Sequence, residues 1–214
     1  MNKKKVFIVY FSPAGSTRHI AEIIEKRFKE LGAEVSSFDL AQSSNEVAIS
    51  ISQQMEALSG ECCLFIGSPV YVSHAVPLVM NCITKLKESN GAFAVPFVTW
   101  GGACSGIALY EMGKELINKK FTLLGAAKIL GVHSLMWQLE DPLGKGHPDA
   151  DDDRMVEELV ELNCLIWLIR ANKIMQRWKK SVFKLPKRIC RNEPSIPSFA
   201  INVRSVQMYV RQML

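Results

Sequence analysis

The six residues Val6–Phe11 carry no charge and run directly into Ser12-Pro-Ala-Gly-Ser-Thr17, then into an amphipathic stretch from Arg18 to Leu31. An unbroken apolar run is the pattern of a strand buried on both faces of a parallel sheet. A small, hydroxyl-rich loop after such a strand delivers backbone N–H groups at a helix N-terminus, where an anion is stabilised. The segment therefore reads as strand, phosphate cradle and helix, or as a plain strand-to-helix turn with a Ser or Thr cap.

Spacing narrows the choice of phosphate. A nucleotide P-loop needs Gly-x-x-x-x-Gly-Lys-Ser/Thr and a dinucleotide fold needs Gly-x-Gly-x-x-Gly, and neither pattern occurs here. The loop offers Ser12, Gly15, Ser16 and Thr17, with no lysine and no acid to hold magnesium. Hydrogen bonds and the helix dipole alone suit a phosphomonoester, as in a mononucleotide, better than a metal-bound triphosphate.

Alternating apolar and amphipathic segments predict strands near 5–11, 34–39, 62–67, 92–99 and 121–132. Helices are expected near 16–31, 44–58, 76–88, 104–119 and from 151 to about 180. This alternation implies an α/β fold with a doubly wound five-stranded parallel sheet. In the order 2-1-3-4-5 the ligand crevice lies at the carboxyl ends of strands 1 and 3. Residues 1–170 are read as the folded domain and 171–214 as a basic helical C-terminal extension.

Three further motifs follow predicted strands or open the last helix: Cys62-Cys-Leu-Phe-Ile-Gly67-Ser68-Pro69-Val70-Tyr71, Ala94-Val-Pro-Phe-Val-Thr99-Trp100-Gly101-Gly102 and Gly146-His-Pro-Asp149. Together with the first loop, their order and spacing resemble the flavodoxin family, over roughly residues 4–170. The last motif is similar to the bacterial branch in which a flavodoxin-like domain is fused to a ferredoxin. The family's phosphate loop reads Thr/Ser-x-Thr/Ser-Gly-Asn-Thr; here Ser16 replaces the Asn, and Pro13 and Ala14 stand at positions that often carry a hydroxyl.

The resemblance implies FMN as cofactor. Main-chain N–H groups of Ser12, Pro13–Ala14, Gly15, Ser16 and Thr17 would surround the phosphate, Pro13 itself having none to give, with Ser12, Ser16 and Thr17 adding hydroxyls. An isoalloxazine needs flat walls and hydrogen-bond partners around its pyrimidine edge and N5. Trp100 and Tyr71 are the candidate walls, each also readable as an ordinary core or loop aromatic. Gly101 and Gly102 can bring backbone N–H groups close, and Thr99 adds a hydroxyl. Ser68, Pro69 and Val70 form the loop expected nearest N5. His133 closes the fifth strand on the same edge and is a candidate for flavin or substrate contact, whereas His74 reads as a solvated loop residue. The connection from Ser134 to Pro148 is long enough to be a lid, a partner surface or an unstructured excursion.

Six cysteines, at 62, 63, 82, 104, 164 and 190, include no Cys-x-x-Cys pair and cannot build an iron–sulfur cluster. Most read as buried free thiols. Cys62 and Cys63 should point to opposite sheet faces. The acidic run Asp149–Asp153 reads as the favourable negative start of the last helix rather than a metal site. No apolar run reaches the roughly 18–20 residues of a membrane span, and the N-terminus resembles no signal peptide, so a cytoplasmic protein is expected.

The net charge of +5 conceals a split. Residues 1–153 carry 14 Lys+Arg against 17 Asp+Glu, a balance of −3, and residues 154–214 carry 12 against 4, a balance of +8. The basic amphipathic tail, which includes Trp178-Lys-Lys-Ser-Val-Phe-Lys, could dock on an acidic ferredoxin-type or flavoenzyme partner. It could instead lie on an anionic membrane surface or pack on its own domain or a second copy as a homo-oligomer. Nucleic acid is disfavoured because no reading motif accompanies the charge.

Three functions remain open: a flavodoxin-like electron carrier, an NAD(P)H-dependent FMN oxidoreductase acting on a quinone or similar acceptor, and a binding module without flavin. The first is the reading preferred, with FMN cycling among its oxidation states. No catalytic residue or metal is assigned, because no nucleophile set, paired carboxylate or ligand cluster competes.

Overall fold

The computed structural model describes residues 4–58, 61–89, 91–136 and 138–171. Residues 172–214 of the extension, Cys190 among them, and Trp137 lie outside the described residues.

The first apolar run becomes β1 (Lys5–Tyr10), followed by α1 (Ser16–Glu30), β2 (Glu34–Asp39) and α2 (Leu40–Ala57). Next come β3 (Cys62–Tyr71), β4 (His74–Ala75), α3 (Pro77–Lys85), β5 (Phe93–Trp100) and α4 (Ala108–Asn118). The described chain closes with β6 (Thr122–Leu123), β7 (Ala127–Leu130) and α5 (Ala150–Ala171). The sheet runs β2-β1-β3-β5-β6 with parallel pairing along that path; β4 pairs antiparallel with β3, and β7 pairs parallel with β5.

Strand alternation sorts the core into two layers. Phe7 and Val9 of β1 join the layer under α2, α3 and α4, while Val6 and Ile8 join the layer under α1 and α5. Cys62 and Cys63 divide the same way and so face opposite sides of the sheet. In the second layer Phe28 of α1 meets Phe65 of β3 edge-on, with ring centroids 5.2 Å apart. Both rings are fully buried, and truncating either to Ala would cost about 3–5 kcal/mol.

Three expectations are corrected. The single fifth strand over 121–132 is two short strands, and with β4 added beside β3 the sheet has seven strands rather than five. Phe93 and Ala94 pair with Thr122 and Leu123, but Phe97 pairs with Ala127, so three residues, 124–126, span the two positions Val95–Pro96. Pro96 has no N–H to give the ladder, and the extra residue makes a bulge at the interruption. The third strand runs on to Tyr71 rather than ending at 67, because its last residues fold back as a hairpin onto β4. Helix α2 starts at Leu40 rather than 44: Asp39 accepts the Ala41 N–H at 2.9 Å and caps it.

Candidate functional site

The carboxyl ends of β1, β3 and β5 meet at one edge of the sheet, and the loop from β1 into α1 sits at its centre. Gly15 turns the chain with φ +90°, a conformation that L side chains avoid. A Cβ added there would meet nothing within 4 Å, so the turn rather than crowding requires glycine. Ser12 Oγ accepts the Arg18 N–H at 2.9 Å and closes the turn. The N–H groups of Ser16 and Thr17 have no partner among the described residues and stand at the positive end of α1. The Thr17 hydroxyl is buried and shares a 2.7 Å hydrogen bond with the Thr99 hydroxyl at the end of β5, fixing the helix start to the sheet.

The second loop is a tight hairpin. Tyr71 pairs with His74, and Val72 and Ser73 between them have φ +48° and +69°. Such a two-residue turn favours Asn and Gly, and a β-branched residue at positive φ is strained. The hairpin is braced from outside. Ser73 C=O accepts the Ile107 N–H at 2.8 Å, and Glu111 of α4 accepts from Ala75 N–H at 2.6 Å and pairs with His74 at 3.1 Å. Ser68 is fully buried; its hydroxyl donates to Pro69 C=O at 2.8 Å and accepts the Val76 N–H at 3.0 Å. It shapes the loop from within and does not line the cleft.

The third loop carries Trp100, Gly101 and Gly102. Gly101 is crowded: a Cβ there would lie 2.6 Å from the Cα of His133. Gly102 has φ +84° and room for a Cβ at 3.5 Å from Leu130. Gly131 donates its N–H to Trp100 C=O at 2.9 Å, and its missing side chain leaves room for Ser16.

These loops surround an open cleft. Of the residues expected from sequence, Ser12, Pro13, Ala14, Ser16, Thr17, Pro69, Val70, Tyr71, Thr99, Trp100 and Gly101 line it. Gly15, Ser68, Gly102 and His133 do not. His133 sits behind Gly101, where its Nδ1 accepts the Leu135 N–H at 3.3 Å and its own N–H donates to Leu143 C=O at 2.9 Å. In its place Gly131, Val132 and Ser134 line the cleft. Sequence reasoning missed Gly131 and Val132 because 121–132 reads as one strand, and placed Ser134 only at the start of the long connection after it; the glycine directly after β7 was the available signal.

The connection after β7 is tied down rather than an excursion. Gly144, with φ +71°, packs so closely on the Gly131 carbonyl that a Cβ would lie 2.0 Å from its oxygen. At the far end, His147 Nδ1 meets Asp152 Oδ2 at 2.6 Å, and that pairing raises the imidazole pKa above its ordinary value. Asp149 caps α5 by accepting the N–H groups of Asp151 and Asp152 at 2.9 and 3.0 Å. These backbone hydrogen bonds, from Asp152 first, hold the Asp149 pKa below its ordinary value. His147, Asp149 and Asp152 offer ligand atoms within 4.8 Å of one another, but the two carboxylates are engaged as cap and ion pair. His19 of α1 meets Asp153 at 2.7 Å.

Burial pushes the Cys62 and Cys82 thiols up to about 11 and the Cys63 thiol well above its ordinary value. Cys104 differs from the expected buried thiol. It is exposed, and hydrogen bonds from the Ser73 hydroxyl and the Gly106 N–H lower its pKa.

A strand-edge cleft beside a helix N-terminus, in a parallel sheet with helices on both faces, is the flavodoxin-like arrangement. Solved structures with this fold include rubredoxin oxygen:oxidoreductase from Desulfovibrio gigas, with TM-score 0.61 and 15% identity, covering 79% of this chain and 37% of that one. Flavodoxin 1 from Bacillus cereus matches with TM-score 0.57 and 15% identity over 75% of this chain and 97% of its own. A mutant flavo di-iron protein from Thermotoga maritima matches with TM-score 0.52 and 22% identity, over 78% and 36%. The chain thus spans little more than a third of the two larger proteins and nearly the whole of the flavodoxin. No protein-family model and no curated protein matches the chain. Among the described residues no helix is long and apolar enough to cross a membrane.

Proposed function

We propose that the chain binds FMN in this cleft and serves as an electron-transfer protein. The observation that carries the reading is the pair of unpartnered N–H groups at Ser16 and Thr17, positioned by Gly15 and flanked by the aromatic residues Tyr71 and Trp100. Donors without a positive side chain fit a phosphomonoester, and the aromatic residues fit a flat ring system. Among the described residues none that lines the cleft is charged.

Ser16, Thr17 and the Ser12 loop would hold the phosphate, and Trp100, Tyr71 and the Gly101 backbone would hold the ring. Bound there, FMN would supply one- and two-electron redox chemistry. The chain's own part is to orient the ring, to shield one side with the buried Thr17–Thr99 pair, and to leave Tyr71 and Val72 exposed at the rim. A redox partner would approach over that rim. Docking through the basic extension remains the proposed role for residues 171–214.

The test is a fluorescence titration of the apo protein with FMN and with riboflavin. Charge-assisted hydrogen bonds to the phosphate predict 1:1 FMN binding at least about tenfold tighter than riboflavin. Equal affinities would remove the phosphate cradle, and no binding of either would remove the function.

A further inference from the structure

We infer that Lys128 is a positioning residue for the cleft: its ammonium holds the Trp100 indole in place as a wall and sets an unneutralised positive charge behind it. The inference rests on the flavin reading above and goes beyond it, because Lys128 does not line the cleft.

Register places the residue. Lys128 of β7 is paired with Val98 of β5, and Trp100 lies two residues further along β5, so all three share one face of the sheet. From that rigid position the side chain reaches along β5. Its Nζ lies 4.7 Å from the centroid of the Trp100 ring, within the range of a cation–π contact, and 3.4 Å from the Ser105 hydroxyl. The ammonium is therefore tethered both to the last residue of β5 and to the segment that follows it. With one face of the indole taken, the opposite face and the edge are what Trp100 can offer the cleft.

The charge has a second consequence. Among the described residues no carboxylate pairs with Lys128, and none of the residues lining the cleft is charged. One positive charge behind a neutral wall favours a ligand as it becomes more electron-rich. Replacing Lys128 should therefore weaken binding and lower the potential at which the bound flavin is reduced.

The experiment compares the full chain with Lys128→Met, Lys128→Arg and Trp100→Leu. In the apo protein, NMR should place the Lys128 ε-methylene upfield through the indole ring current, and Trp100→Leu should return it to its ordinary position. Loss of a surface cation–π contact predicts FMN dissociation constants about two- to five-fold higher in Lys128→Met, with Lys128→Arg restored to the parent value. The midpoint potential of bound flavin should fall in Lys128→Met and not in Lys128→Arg. Unchanged affinity and potential in Lys128→Met, or equal losses in both variants, would overturn the inference while leaving the flavin reading intact. A parent chain that takes up no FMN would overturn both.

Discussion

Gly101→Ala is the sharpest perturbation of the cleft. Gly101 is not among the glycines with positive φ, so alanine can adopt its backbone without strain and any loss is steric. The new Cβ would lie 2.6 Å from the His133 Cα, 2.7 Å from Cδ2 and 2.8 Å from Cβ. Ordinary contact begins at 3.4 Å, so a backbone atom must retreat by about 0.8 Å, and no rotamer change relieves that clash. Overpacking of this kind costs about 1–3 kcal/mol, or about 2–12 °C in melting temperature for a domain of this size. The retreating segment carries Gly131, Val132 and Ser134, so the cleft wall moves with it and FMN affinity should fall more than about tenfold, as for misplacement of a binding wall near 1 Å. Gly102→Ala is the control: its Cβ has room, and only the cost of φ +84°, about 1–2 kcal/mol, remains. Calorimetry with flavin titration decides the matter. Equal flavin affinity in both variants, or an unshifted melting temperature in Gly101→Ala, would refute the reasoning.

Three other outcomes are expected. Val72→Gly removes a β-branched residue from φ +48° and should stabilise the protein by about 1 kcal/mol in denaturant unfolding; a loss would show that Val72 is held by contacts that outweigh its strain. His147 has its pKa raised in the folded state by Asp152, so its contribution is fully present below the ordinary value near 6.5 and is lost as pH rises through the raised one. Melting temperature should therefore fall across that window in the parent and less steeply in His147→Gln, and parallel pH profiles would contradict the pairing. Among the described cysteines, Cys104 should be alkylated first by iodoacetamide at neutral pH, with Cys62, Cys63 and Cys82 protected by burial, as read by peptide mass mapping. Faster labelling of Cys82 would show that α3 opens more readily than its packing implies.

The parts of the site legible in the sequence are those where hydrophobic pattern and loop chemistry agree. Apolar runs end at Phe11, Gly67 and Thr99, and each is followed by residues that can turn or approach closely, so the strand ends mark the cleft. Three features were hidden for physical reasons. Val72 and Ser73 form a left-handed turn that their side chains disfavour, and tertiary contacts from Ile107 and Glu111 stabilise it. Ser68 offers a hydroxyl of the right chemistry, but strand alternation turns it inward, where Val76 needs it. The break between β6 and β7 depends on Pro96 of a neighbouring strand, a pairing that local periodicity does not record. The placement of His133 follows from the same break, since the shifted segment brings its backbone against Gly101.

A redox-active flavin in this cleft is tested most directly by reconstituting the protein with FMN anaerobically and following its visible spectrum. NADPH or NADH is added first, then a low-potential photochemical reductant. Stoichiometric flavin that bleaches with the low-potential donor and stays oxidised with pyridine nucleotide is the result predicted for an electron carrier. Rapid bleaching by NAD(P)H would make the protein a reductase instead, and a spectrum showing no bound flavin would contradict the account.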